Sequence, residues 1–209
     1  MKFDRQIAEI DAVLKAKDEY REKIISLSRD IVRRSGSAVL AIHKKDEEGT
    51  GSNIAAARQS LEAALDACRL QPEYLYVGPL PQAFQEFAEA NILIALVRDG
   101  EIPSPNDLRV PVESYITGLA DAIGEMRRYA LDSLRKDDFG EAERALKTME
   151  EAYMALKNLD YPRAVVPNLK RKLDVNRRLV EETRGDVTLA HQGRLIRSSI
   201  ERAMENKER

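Results

Sequence analysis

Apolar residues recur at intervals of three and four along almost the whole chain, a spacing that places them on one face of an α-helix. The first such stretch runs from Phe3 to Ile42 and predicts a single long N-terminal helix. Short runs rich in Gly, Pro and Asn then interrupt the pattern and divide the rest of the chain into six further helical stretches. No stretch shows the alternating pattern of a half-buried strand. The pattern therefore predicts an all-α fold with seven helices.

The interruptions also predict where the later helices begin and end. In the run GTGSN, Ser52 or Asn53 is the expected N-cap of the second helix, because either side chain can accept a hydrogen bond from a free backbone N–H. That helix is expected to end near Arg69. The next three are expected over about 80–97, 112–135 and 139–156, a sixth from near residue 167, and a polar seventh after the RGD run at 184–186.

Composition bounds the class of protein and its location. The 209 residues are 43% hydrophobic and 33% charged, which is enough apolar material for one core, so a single domain over residues 1–209 is expected. With a net charge of −2, any nucleic-acid binding would need basic residues gathered on one face. The chain opens without a signal-peptide pattern and has no long uncharged apolar run, so a cytoplasmic protein with no membrane contact is expected.

Two pairs of acidic residues lie in these apolar helices. Glu86 and Glu89 belong to the segment QEFAEA, and Asp121 and Glu125 belong to the segment ADAIGE, so each pair falls on one helix face. Acids at this spacing usually mark a solvated face. Here Phe and Ala flank the first pair and Gly lies beside the second, which favours the margin of an apolar surface. A carboxylate there needs a basic partner, a groove wall or a bound cation.

If the two helices are neighbours, the four carboxylates would converge on one site. Ligands that are all oxygen suit Mg²⁺ or Mn²⁺. A divalent ion held in this way can activate water and stabilise the charge that develops when a phosphodiester is cleaved. The candidate metal ligands and catalytic residues are therefore the same four acids, Glu86, Glu89, Asp121 and Glu125.

Basic residues provide the complementary feature. The candidate nucleic-acid-binding residues lie along one flank and at the end of the first helix: Arg29, Arg33, Arg34, Lys44 and Lys45. Such a flank could follow a phosphate backbone, or it could be the ordinary charged side of a packed helix. The same two interpretations apply to a second basic cluster, at Lys170, Arg171, Lys172, Arg177 and Arg178.

Four segments carry a further signal when they are taken in order. They are ISLSRDIVRRSGSAVLAIHK at 25–44, LPQAFQEFAEA at 80–90, SYITGLADAIGEMRR at 114–128 and LKNLDYPRAVVPNLKRKLDV at 156–175. Together they resemble translin and its partner, translin-associated factor X, over most of the chain. The resemblance is closer to the associated-factor side, because the four candidate acids occupy the positions of that subunit's catalytic acids. Phe87 and Ala88 replace the Tyr-Val that is usual between the first pair.

The resemblance implies a seven-helix translin-like protomer that assembles as a homo-oligomer, commonly an octamer, into a hollow shell with the acids facing its interior. It also implies a Mg²⁺-dependent endoribonuclease that acts on short single-stranded RNA and binds single-stranded RNA and DNA. The chain is similar to the short prokaryotic, archaeal members of the family. The four acids would then hold one or two Mg²⁺ ions, and one of them would act as general base.

Two other interpretations stay open from the sequence. The protein could be a nucleic-acid-binding shell without catalysis, as translin is, with acids that hold no metal. It could also be an all-α nucleoside triphosphate pyrophosphohydrolase, because such enzymes hold Mg²⁺ with Glu-x-x-Glu followed by a second acidic pair. The second pair here is spaced by four residues rather than three, which counts against the pyrophosphohydrolase.

Overall fold

A computed structural model describes residues 3–69 and 71–205. This part of the chain contains seven α-helices and no β-strand, which confirms the all-α class. The helices are α1 (Asp4–His43), α2 (Glu47–Ala67), α3 (Leu80–Val97), α4 (Pro105–Leu108), α5 (Val112–Leu134), α6 (Phe139–Lys157) and α7 (Leu169–Glu205). A single 3-10 turn, Pro72–Leu75, lies between α2 and α3. Within the described ranges, no helix is both long and apolar enough to cross a membrane.

The chain divides into two compact units, each assembled from parts that are separate in sequence. Unit 1 is formed by Met1–Asn91 and Pro105–Tyr115, and unit 2 by Ile92–Ser104 and Ile116–Arg209. Helices α1, α2 and α4 therefore belong to unit 1 and helices α6 and α7 to unit 2, while α3 and α5 contribute residues to both. The single domain expected over residues 1–209 stays a prediction.

Within unit 1, α1 and α2 pack against each other as the main helix pair. From Ile24 onward, α1 buries residues such as Ile31 and Ala38 at intervals of three and four, and α2 contributes buried Ala57 and Leu61. The observed extent of α1 agrees with the single long helix that the sequence predicts. The agreement is expected, because apolar spacing repeated over ten turns is a strong local signal.

The start of α2 differs from the prediction. The helix begins directly after Asp46, whose carboxylate accepts a hydrogen bond of 2.8 Å from the backbone N–H of Gly49. The predicted caps, Ser52 and Asn53, lie inside the helix instead, where both side chains donate to the carbonyl of Gly49. A tight turn explains the difference: Lys45 adopts a left-handed φ of 59°, and the chain enters the next helix at once.

The end of the chain also differs from the prediction. Instead of stopping before the RGD run at 184–186, α7 continues through it. Gly185 lies inside the helix, where a glycine costs about 1 kcal/mol relative to alanine. The residues on either side of it, however, form ion pairs with other helices. Arg184 lies 2.7 Å from Glu150 of α6, and Asp186 lies 3.0 Å from Arg127 of α5. These tertiary contacts stabilise a helical turn that the local sequence disfavours.

The predicted and observed numbers of helices agree for a different reason than expected. In the described part of the chain, one long α7 replaces the two helices predicted at the end, and the short α4 adds one that the sequence pattern missed. Helix α4 is a single turn that begins at Pro105, a residue type that suits the first position of a helix. One turn is too short to show the repeating apolar pattern that identified the longer helices.

Within unit 2, Arg144 of α6 forms hydrogen bonds with the C-terminal end of α3. Its guanidinium donates hydrogen bonds of 2.9 Å and 3.0 Å to the carbonyls of Leu96 and Val97, in the last turn, where helix carbonyls lack their usual partners. The same group lies 2.7 Å from Glu141 and over the ring of Tyr129 of α5. One cation thus stabilises a helix end and connects three helices of unit 2.

Replacement of the N-cap tests the observed start of α2. We expect Asp46→Ala to lower the free energy of unfolding by about 1 kcal/mol, because the N–H of Gly49 loses its acceptor. Ser52→Ala is the matched control: its place inside the helix predicts almost no loss, whereas an N-cap would lose as much as Asp46 does. Urea unfolding followed by circular dichroism measures both variants. A larger loss in Ser52→Ala than in Asp46→Ala would contradict the observed helix start.

Candidate functional site

The first acid pair lies on the unit 1 part of α3, at the edge of a buried surface. Phe84, just before the pair, and Phe87, between its two members, are fully buried, whereas Glu86 and Glu89 are partly exposed. The local helix orders one of the acids, because the amide of Gln82, one turn earlier, donates a 2.6 Å hydrogen bond to Oε1 of Glu86. The pair therefore lies at the margin of an apolar surface and not on an open solvated face.

The second acid pair lies on the unit 2 part of α5, and each acid has a basic neighbour. Asp121 forms an ion pair with Lys172 of α7, and Glu125 lies 3.8 Å from Arg128, one turn along its own helix. The side chains of Asp121 and Glu125 are only 28% and 27% exposed. Charges with little solvent around them attract each other more strongly than surface charges do. The Asp121 ion pair is thus a stronger interaction than an ordinary surface salt bridge.

Two further contacts hold α7 against α5 near this acid pair. The almost fully buried Asn176 donates a 2.9 Å hydrogen bond from its side-chain amide to the backbone carbonyl of Ala120, the residue before Asp121. Further along, the guanidinium of Arg127 donates a 2.7 Å hydrogen bond to the hydroxyl of Thr183. The backbone of α7 is therefore fixed beside the acid pair by packing and hydrogen bonds.

The sequence pattern placed Lys172 in a basic cluster but did not connect it with the acids. Its neighbour Lys170 pairs with Asp160 and is 72% exposed, whereas Lys172 is 16% exposed. Helical spacing accounts for this difference in exposure between the two lysines. Lys172 lies three residues after Leu169 and four before Asn176, both of which are buried, so it shares their helix face. A lysine on the buried face of a helix indicates an acidic partner, since lysine is rarely buried without one.

The oxygen atoms of the two acid pairs suit a hard divalent cation. In the ranges that the structure describes, no three His, Cys, Asp or Glu side chains form a group that could hold a metal ion. Each pair nevertheless supplies two carboxylates one helical turn apart, and Mg²⁺ often takes only one or two carboxylates while it keeps several waters. The donor set therefore fits Mg²⁺ or Mn²⁺, although Lys172 already engages one oxygen of Asp121. Metal binding by the four acids stays a prediction.

Asp30 organises the basic flank of α1. It pairs with Arg33, lies 3.9 Å from Nε of Arg34 and accepts a 2.6 Å hydrogen bond from the hydroxyl of Ser60 on α2. The Ser60 hydrogen bond is the main reason that the pKa of Asp30 lies below its usual value, and Arg33 lowers that pKa further against the opposing effect of burial. Two of the five basic candidates therefore already balance an acid of their own helix.

The other three basic candidates, Arg29, Lys44 and Lys45, have exposed side chains. Arg29 and Arg33 line a groove of about 480 Å³. Lys44 and Lys45 directly follow α1, at a helix C-terminus where positive charge is favourable. All five candidates thus lie on α1 or directly after it, as their positions in the sequence predict.

These features define a class: an all-α protein with two acid pairs at the edges of buried helix surfaces and with exposed basic residues along a long first helix. The chain belongs to the Translin family, whose model matches residues 19–183. That range includes all the candidate acids and all the basic candidates of α1. The match confirms the resemblance carried by the four sequence segments. The closer likeness to the associated-factor side stays a prediction.

Relatives and solved structures agree with this assignment. An uncharacterized protein of Methanocaldococcus jannaschii is 38% identical over 187 residues, which cover 89% of this chain and 83% of that protein. AfC3PO in its complex with duplex RNA is 32% identical, with a TM-score of 0.83 over 91% of this chain and 98% of that chain. A crystal structure of AfC3PO gives a TM-score of 0.81 at 32% identity, over 91% and 99% of the two chains. Apo-NeC3PO, at 20% identity and a TM-score of 0.77 over 87% and 96% of the two chains, shows a common fold alone.

The lowered pKa of Asp30 predicts a pH dependence of stability. Because the folded pKa is the lower one, the stabilisation is present above the unfolded pKa of about 4 and is lost as the pH falls through the folded pKa. We expect Asp30→Asn to reduce the free energy of unfolding near pH 7 but to match the wild type at strongly acidic pH. Guanidinium unfolding across this pH range measures the difference.

A matched control for that experiment is Asp66→Asn. Asp66, also in unit 1, lies 2.9 Å from Arg69 in an exposed ion pair. Such pairs contribute little to stability. Its replacement should change stability only slightly at either pH. An equal loss for Asp30→Asn at neutral and strongly acidic pH would contradict the prediction.

Proposed function

We propose that this protein binds RNA and cleaves it as a Mg²⁺-dependent endoribonuclease. The observation that carries the binding part is the likeness to AfC3PO, whose structure in complex with duplex RNA has a TM-score of 0.83 at 32% identity with this chain. The partial burial of both acid pairs on helices supports the cleavage part, since acids without a special role favour open solvent. Short single-stranded RNA is the proposed substrate, with single-stranded DNA as a second ligand.

The acids and their neighbours have separate proposed roles. Bound Mg²⁺ would supply an activated water and charge stabilisation for cleavage of a phosphodiester. The proposed ligands are Glu86, Glu89, Asp121 and Glu125, and one of these carboxylates accepts the proton of the attacking water as general base. Gln82 orders Glu86 through its 2.6 Å hydrogen bond, so this carboxylate needs little rearrangement before a ligand binds.

The basic residues of α1 are proposed to hold the phosphate backbone. Exposed Arg29, Lys44 and Lys45 are expected to contribute most. Arg33 and Arg34 contribute less, because the charge of Asp30 offsets part of their attraction to a phosphate. Contacts with the backbone carry no base information, so sequence specificity is expected to be low.

Self-assembly into a homo-oligomer, with an octamer as the expected size, completes the proposal. The first turns of α1 support it, because Phe3, Ile7, Ile10 and Leu14 are all more than half exposed. Their spacings of four, three and four residues place them in one stripe along the helix, as in helices that pair with another helix. A second subunit packed on this stripe would remove apolar surface from water.

A nucleic-acid-binding shell without catalysis is the second candidate function. The ion pair between Asp121 and Lys172 favours it, because an acid that already has a cationic partner can serve packing without any metal. The two functions differ in how RNA binding and RNA cleavage depend on Mg²⁺.

Cleavage of a short labelled RNA by the purified protein tests the proposal directly. We expect cleavage with Mg²⁺ and none with EDTA. Glu89→Gln should reduce the rate by on the order of 10²-fold or more, because glutamine keeps the shape of the side chain but removes its charge. RNA binding should persist in this variant, since the change lies outside the basic flank of α1. Parallel rates on single-stranded and duplex RNA show which form is preferred.

Glu143→Gln is the matched control for the cleavage experiment. Glu143 is an exposed glutamate on α6, so its replacement should leave the rate unchanged. A nucleoside triphosphate under the same conditions should stay intact, which separates the nuclease from a pyrophosphohydrolase. Binding without cleavage under every condition would contradict the nuclease and support the binding shell.

Loss of a phosphate contact should weaken RNA binding in a salt-dependent way. We expect Arg29→Gln to lower affinity similarly for RNAs of different sequence, and to reduce the slope of log affinity against log salt by about 1. Arg135→Gln is the control. Arg135 is exposed and directly follows α5, so its replacement should leave the affinity and the salt slope unchanged. Fluorescence anisotropy at several salt concentrations measures the slopes. A loss confined to one RNA sequence would contradict a backbone contact.

A further inference from the structure

We propose that Lys172 is a built-in counter-ion that competes with a divalent cation for the carboxylate of Asp121. The inference rests on the proposed function to the extent that Asp121 is a metal ligand. It adds a residue that nothing in the acid pairs themselves indicates. The role of that residue is to set how tightly the α5 acid pair binds Mg²⁺.

The burial of the ion pair sets it apart from the other basic contacts at the start of α7. Lys172 and Asp121 are both largely shielded from solvent, whereas Lys170 and its partner Asp160 are mostly exposed. An exposed pair at 3.4 Å, such as that of Lys170, is screened and contributes little. The shielded pair interacts in a medium of lower effective dielectric, so its attraction is larger and less sensitive to salt.

The position of Lys172 within its helix indicates that Asp121 holds it there. Helix α7 begins at Leu169, so Lys172 lies in the first turn, where the helix dipole disfavours a positive charge. The Asp121 carboxylate offsets this unfavourable effect. Asn176, one turn further on, binds the carbonyl of Ala120 and fixes the backbone. Release of Asp121 therefore needs movement of the two side chains and no displacement of α7.

Direct competition follows from the atoms involved. The ammonium of Lys172 engages Oδ1 of Asp121, and a cation bound to the same carboxylate would use the same oxygen lone pairs. Two cations at one carboxylate also repel each other. Arg128 adds a second positive charge near Glu125, so the α5 acid pair is already neutralised by the protein's own side chains. The ammonium of Lys172 thus opposes metal binding and stabilises the metal-free protein.

The test measures binding of Mn²⁺ by electron paramagnetic resonance and of Mg²⁺ by calorimetry, in the absence of RNA. Lys172→Gln keeps a hydrogen-bond donor but loses the charge. We expect this variant to bind Mn²⁺ more tightly than the wild type, by about tenfold or more. Lys172→Arg keeps the charge and should behave like the wild type. Lys170→Gln, which removes an exposed lysine from the same turn of α7, should also leave the affinity unchanged.

Each outcome decides the inference. Tighter binding by Lys172→Gln alone supports it, and so does Mn²⁺ binding by Lys172→Gln where the wild type shows none. If the wild type binds Mn²⁺ and Lys172→Gln binds it equally or more weakly, only this inference falls, and weaker binding would make Lys172 an orienting residue for Asp121. If neither protein binds Mn²⁺ or Mg²⁺, the proposed metal-dependent function falls as well.

A measurement on the unaltered protein keeps the inference testable even if the variants fold poorly. The side-chain NMR signals of Lys172 should shift when Mg²⁺ is added to the wild type, because its ion pair with Asp121 is disturbed. The signals of Lys170 should shift much less. A Lys172 signal that stays unchanged at Mg²⁺ concentrations that saturate the protein would overturn the proposal.

Discussion

Matching of opposite charges where helices pack, by partners on the same helix or on the neighbouring one, is the interaction that organises this structure. Acids that neighbouring elements shield from water are matched with basic side chains in both units, in the pairs Asp30 with Arg33, Asp121 with Lys172 and Glu141 with Arg144. A shielded carboxylate without such a partner would be destabilising or would take up a proton. These groups also hold helices together: Asp30 reaches α2 through Ser60, Lys172 joins α7 to α5, and Arg144 joins α6 to the end of α3.

The same compensation limits what the charged residues can offer to a ligand. The chain carries a net charge of only −2, so the proposed attraction to RNA would depend on local groups of basic residues and not on the protein as a whole. On α1, Asp30 offsets two of the arginines, whereas Arg29 and the lysines after the helix are exposed. On α5, the acids have basic neighbours of their own. At Asp121, Arg33 and Arg34, an external ligand would therefore compete with an internal partner.

Much of the helical framework could be predicted from the sequence, because its signals are local. Continuous apolar spacing predicted α1 almost to the residue. Pro and Gly on both sides of α3, and Pro111 before α5 with the polar run KDD after it, marked the ends of these helices to within one residue. The acid pairs could also be placed on helix faces, since spacings of three and four residues need no tertiary information. Their flanking Phe and Ala residues correctly indicated the edge of a buried surface at Glu86 and Glu89.

Residues within a few positions of one another are thus enough to predict the all-α class, the long first helix and the helix faces on which the acids lie. The tertiary structure explains why α7 continues through Gly185, since the ion pairs of Arg184 and Asp186 reach other helices. It also decided that Lys172 is the partner of Asp121, a residue 51 positions away in sequence. Local spacing shows that a charge lies on a buried face, but packing between helices selects its partner.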